Sequence, residues 1–195
     1  VLFRLAGIHS DMRRPDPAER MLREYLVHYQ GRKAEIEQHP EYYRDPAAAR
    51  RWVDGMLARA HVSLAVLNHV LRGREERASF HCRRAFELEG GDFNRVLYAC
   101  YLARQGRRER AVELAESVDT APDLHYNLAC TWALLGEKER ALALLRRDLE
   151  ENHLTPAARN NHREWASRDP DLEALYDEPE FKELIRREEG GGRRE

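Results

Sequence analysis

The chain is predicted to be all-α, an α-α superhelix of stacked helical hairpins, and three observations predict it. Apolar residues recur at spacings of three and four, with Ala, Leu, Arg and Glu filling the positions between. The period-two alternation of β-branched and aromatic residues that marks strands is almost absent. One block also returns along the chain. Val96-Leu-Tyr-Ala-Cys-Tyr-Leu-Ala-Arg-Gln-Gly106-Arg-Arg-Glu-Arg-Ala111 is followed by Tyr126-Asn-Leu-Ala-Cys-Thr-Trp-Ala-Leu-Leu-Gly136-Glu-Lys-Glu-Arg-Ala141. The stretch from Leu67 through Gly73 to Ala78 has the same layout. Each block reads as a helix, a glycine in a left-handed cap, a charged tetrad opening the next helix in water, and a small alanine where the two helices cross.

Length and composition agree. The chain has 195 residues, enough for one domain or a short solenoid with a real core. It is 42% hydrophobic and 35% charged, as expected of a folded, charged helical protein. A net charge of −2 gives no electrostatic footprint for nucleic acid, and no apolar run is long enough to span a membrane. Cys82, Cys100 and Cys130 make an odd set without disulfide spacing, which points to free thiols in a reducing cytoplasm. The chain begins at Val1 rather than Met, as a piece of a longer protein would.

In order along the chain, residues 1–58 read as N-terminal helices. Leu5 to His9 and Ala18 to Tyr25 suggest a degenerate hairpin, and residues 31–45 an insertion broken at Gly31 and Pro40. From Pro46 to Arg72 the pattern allows either one long helix or a leading helix that kinks into the first repeat. Residues 59–155 hold three units, 59–92, 93–121 and 122–155. Gly73, Gly106 and Gly136 stand 33 and 30 residues apart, and Ala78, Ala111 and Ala141 keep the same spacing. The middle unit is short, so its second helix should stop near Ser117. Residues 156–188 read as capping helices with a buried stripe of Leu172, Leu175, Phe181 and Leu184, and 189–195 as a disordered tail. Asp45-Pro46, Thr155-Pro156 and Asp169-Pro170 each read as an N-cap followed by a proline at the first helical position.

These units resemble the tetratricopeptide repeat. Leu128-Ala129, Trp132, Gly136, Ala141 and Leu145 carry the resemblance in the third unit. Tyr98-Ala99, Leu102, Gly106, Ala111 and Ala115 carry it in the second, and Gly73, Ala78, Cys82 and Ala85 in the first. Asp148 stands where the family has a small residue, and His69 where it has an aromatic one. The segment Asp169-Pro-Asp-Leu172, then Leu175 and Pro179-x-Phe181, is similar to the closing segment of many bacterial proteins of this type. The resemblance implies a solenoid of helical hairpins whose first helices line a concave, partner-binding face.

On that face the expected positions are Leu64, Leu67 and Leu71 in the first unit, and Val96, Leu97, Cys100 and Arg104 in the second. Tyr126, Asn127 and Cys130 follow in the third. The face is mostly apolar. The family's carboxylate clamp is not implied, because only Asn127 and Arg104 resemble its members and no Lys is present. Either a partner peptide or helix occupies the face, or the chain's own N-terminal helix does.

Chemistry is hard to find. The nine histidines have no HExxH, CxxC or His-x3-His spacing, and His153 and His162 flank a turn, so no metal or cofactor is expected. Cys100 and Cys130 are expected as neighbours on adjacent helices but too far apart to bond. Carboxylates lie in runs with arginines, such as Arg74 to Arg77, which are solvated helix starts. The reading is a non-catalytic scaffold or adaptor that binds a protein partner. Its alternatives are the regulatory or repeat portion of a larger bacterial enzyme, and a structural protein that self-associates through its apolar face as a homodimer.

Overall fold

The computed structural model describes residues 2–118, 121–153 and 155–186; the predicted tail at 189–195 lies outside them. Among the described residues the fold is all-α, with no strand. Ten helices follow in order: α1 Leu2–Asp11, α2 Pro15–Gln38, α3 Pro46–Val66, α4 Glu75–Leu88, α5 Asp92–Arg104, α6 Arg108–Glu116, α7 His125–Leu134, α8 Lys138–Glu151, α9 Pro156–Ala166 and α10 Pro179–Leu184. A π-helical turn, Leu67–Leu71, extends α3, and a 3-10 segment, Pro170–Leu175, joins α9 to α10. The chain forms two compact units, Val1–Tyr101 and Leu102–Glu195.

Local chemistry sets the helix ends. Asp45 accepts a hydrogen bond from the Ala48 amide at 2.8 Å, and Thr155 one from Ala158 at 3.2 Å, each with proline next in the chain. Asp169 does the same for Asp171 at 3.0 Å, opening the 3-10 segment. Gly73, Gly106 and Gly136 all have positive φ, +58°, +69° and +77°. At Gly136 the Glu137 amide reaches back to Trp132 O and the Gly136 amide to Ala133 O, both at 2.9 Å, which satisfies carbonyls that the helix end leaves open.

Residues 31–45 depart from expectation. α2 runs through Gly31 and ends only before Pro40. A glycine inside a helix costs about 1 kcal/mol, and burial of Leu22, Leu26 and Ile36 along α2 outweighs it. Proline has no such remedy, because it removes a donor and clashes with the preceding turn. From Pro46 onward the first alternative holds: a single helix, finishing in the π turn.

These contrasts give a paired prediction. Gly136→Ala forces a Cβ into the left-handed region and is expected to cost about 1 kcal/mol. Gly31→Ala meets nothing within 4 Å and is expected to gain up to about 1 kcal/mol. Urea midpoints should move in opposite directions.

In the first unit α1 packs on α2, α2 on α3 and α3 on α4. One core joins Ala6, Leu22 and Leu26 to Leu57, Leu64 and Leu67. A second gathers Ala65, Ala78, Cys82 and Tyr101. In the second unit α7 packs on α8, and the 3-10 segment packs on both. Leu128, Leu145, Leu172, Leu175 and Phe181 are each buried there to 1% exposure or less. Leu184 is only half-buried, so the predicted stripe of the closing segment loses its last member.

Candidate functional site

The ten predicted face residues separate into three groups. Leu64 and Leu67 are 1% and 2% exposed and belong to the core shared with α1 and α2. Val96 and Cys100 of α5 and Cys130 of α7 are also buried, while Leu97 is half-buried against the second core of its unit. This corrects the expectation that these positions look outward: long-range packing covers them.

In the second unit the C-terminal segment does the covering. The Tyr126 hydroxyl donates to Asp169 Oδ2 at 2.6 Å, with Cys130 Sγ 3.9 Å from the same oxygen. Burial, Cys130 and Asp169 together push the Tyr126 hydroxyl far above its ordinary pKa. Arg104 grips Asp171 in a two-pronged pair, Nε to Oδ1 at 2.7 Å and Nη2 to Oδ2. Asn127 is half-buried. Cys130, Asp169 and Asp171 cluster closely enough to suggest a metal, but their carboxylates are already engaged by Arg104, Tyr126 and the Asp171 amide. All three cysteines are buried and none is in a disulfide.

Leu71 has a different fate. With Leu67 it lines a groove of about 350 Å³ in the first unit, between α1 and the end of α3. Phe3, Gly7 and Ser10 form one wall, and Val62, Val66 and Val70 the other. Val66 and Val70 are 46% and 62% exposed, large apolar side chains presented to solvent. A Cβ built on Gly7 would meet nothing within 4 Å. Ser10, Asp11 and Ser63 supply the polar groups along this mostly apolar channel.

Sequence reasoning found Leu67 and Leu71 but missed Val62, Val66 and Val70. In a straight α-helix, residues four apart drift around the axis by about 40° per step. The wider π turn at Leu67–Leu71 slows that drift, so 62, 66 and 70 stay aligned beside 63, 67 and 71. Nothing in local composition announces a π turn. Its buried Asn68 donates to Leu64 O at 2.7 Å, a bond visible only once the helix is built.

A larger opening of about 640 Å³ lies between α2 and the start of α4, but it is charged. Arg72 there binds Asp16 at 2.5 Å and Glu19 at 2.9 Å. Although partial burial opposes it, Arg23 and Arg72 hold the Glu19 carboxyl below its ordinary pKa. These pairs largely neutralise one another. Deeper in the unit, His61 of α3 and His81 of α4 face each other, Nδ1 to Nδ1, at 2.9 Å. One ring must donate and the other accept, so the contact requires a proton-free nitrogen. Burial first, then neighbouring cations, pushes both rings down to about 4.

No protein-family model matches the chain, and no curated protein or solved structure is significantly similar to it. No described helix is long and apolar enough to cross a membrane.

Proposed function

We propose that this chain is a non-catalytic protein-interaction module whose groove beside α3 receives a short amphipathic helix of a partner protein. One observation carries the reading: Val66 and Val70 stand exposed over an apolar channel floored by Leu67 and Leu71. An exposed apolar patch of this kind costs solubility unless something covers it. The groove has the one-sided apolar lining that a helix with anchors three and four residues apart would fill. The left-handed glycine turns at 73, 106 and 136 support tetratricopeptide-type units. Three buried cysteines outside any disulfide support a reducing compartment such as the cytoplasm.

Peptides selected by display against the intact chain test the reading. Gly7→Leu should plug the channel while leaving α1 helical, because leucine is the better helix former and space is open at Gly7. Selected peptides are expected to bind this variant at least tenfold more weakly, about 1.4 kcal/mol, with the far-UV circular dichroism unchanged. Unaltered binding to Gly7→Leu and to Val66→Asp overturns the assignment. Light scattering that shows concentration-dependent dimers lost in Gly7→Leu would give the groove to a second copy instead.

A further inference from the structure

We propose that Asp148, His153 and His162 form a binding site for a divalent first-row transition-metal ion, best suited to zinc, in the second unit. The site is distinct from the groove and does not depend on its role. Asp148 lies on α8, His162 on α9, and His153 in the connection between them. His162 Nε2 is 2.7 Å from Asp148 Oδ2, and His153 Nε2 is 3.4 Å from the same oxygen. The three donor atoms all lie within 4.8 Å of one another.

The chemistry favours a metal over a simple ion pair. Asp148 is 3% exposed. Its Oδ2 and His162 Nε2 are both shut away from solvent, and neither makes a hydrogen bond of acceptable geometry. Polar atoms so placed are costly unless something else satisfies them. The two imidazoles stack with centroids 4.0 Å apart at 26°, both directing Nε2 toward one carboxylate. Protonating both would set two cations face to face. A metal shared by the two nitrogens and the carboxylate instead satisfies every donor at once.

The distances fit. With metal–ligand bonds of about 2.0–2.1 Å, donors in a tetrahedral or octahedral shell sit roughly 3.0–3.4 Å apart; the two carboxylate–imidazole separations lie near that range, and the imidazole pair is within 4.8 Å. Two imidazoles and one carboxylate select zinc and its neighbours over magnesium or calcium. The surroundings hold the ligands in place. Asn152 Nδ2 donates to Asp148 Oδ1 at 2.7 Å and to Pro122 O at 2.5 Å, fixing the carboxylate's rotation. The Tyr126 ring meets His162 edge-on with centroids 4.8 Å apart. The nearby guanidiniums are turned to backbone carbonyls, Arg159 to His153 O and Arg163 to Leu184 O, both at 2.9 Å. The His153 and His162 side chains are 23% and 18% exposed, which gives an ion a way in.

The test uses the intact, tag-free chain stripped with chelator and titrated with Zn²⁺ by calorimetry and with Co²⁺ by visible absorption. One equivalent should bind, and the thermal midpoint should rise with metal, since a ligand of the folded state stabilises it by mass action. His153→Gln and His162→Gln should each weaken binding at least tenfold and abolish the rise. His153 is the more accessible of the two, so its variant keeps the test decisive even where His162→Gln perturbs folding. Absence of a stoichiometric site, or undiminished binding in folded His153→Gln, overturns the proposal and leaves an Asp148–His162 ion pair.

Discussion

Arg104→Ala is expected to destabilise the second unit by about 3 kcal/mol. Surface ion pairs contribute little, typically below about 1 kcal/mol, but this pair is not on the surface. The Asp171 side chain is 8% exposed and the Arg104 side chain 17%. Removing the guanidinium strands a carboxylate in the interior, and breaking a buried pair from one side costs about 3–5 kcal/mol. Residual access at Arg104 argues for the lower end. Arg104→Leu with Asp171→Leu should recover much of the loss, because an apolar pair leaves no charge to solvate. Urea unfolding followed by Trp132 and Trp165 fluorescence in a Trp52→Phe background reads the second unit, since Trp52 is the tryptophan of the first. A loss below about 0.5 kcal/mol would place the pair with ordinary surface bridges.

The second large effect is acid lability of the first unit. His61 and His81 both titrate near 4 in the folded chain against an ordinary value of 6.5. Protonation is thus harder when folded than when unfolded. The packing is fully retained above pH 6.5, and stability falls as pH drops from 6.5 toward 4. A shift of this size in one ring corresponds to at most about 3 kcal/mol by pH 4. Beyond burial, Arg84 adds to the depression at His61, and the facing His61 ring, Arg23 and Arg77 add to it at His81; Glu87 and Glu19 oppose it. Hydrogen exchange of the α3 and α4 amides should accelerate across that window in the wild type. In His61→Gln/His81→Gln the acceleration should shrink, leaving only what the carboxylates contribute. Equal pH profiles would show that the rings titrate normally.

The two parts of the molecule that carry these effects were unequally legible beforehand. Asp169-Pro170 and the stripe through Leu172, Leu175 and Phe181 announce a capped segment with a buried face from sequence alone. That Arg104 would bind its Asp171 was not legible, because the two are brought together by packing across 67 positions. The cluster of Asp148, His153 and His162 was not legible for a related reason. Spacing rules search along one helix or one turn, whereas these three come together only when α8 and α9 fold back on each other.

Sequence by itself determined the all-α class, the left-handed turns at Gly73, Gly106 and Gly136, and the proline-backed caps at Asp45, Thr155 and Asp169. Each depends on interactions within a few residues, such as a φ that only glycine adopts easily or a side-chain oxygen beside a free amide. Tertiary structure alone decided which apolar positions became core and which became groove. Leu64 and Val66 are two residues apart on one helix, yet α1 and α2 bury the first and leave the second in water. A helical stripe states that a position is apolar; what covers it is settled by elements far away in the chain.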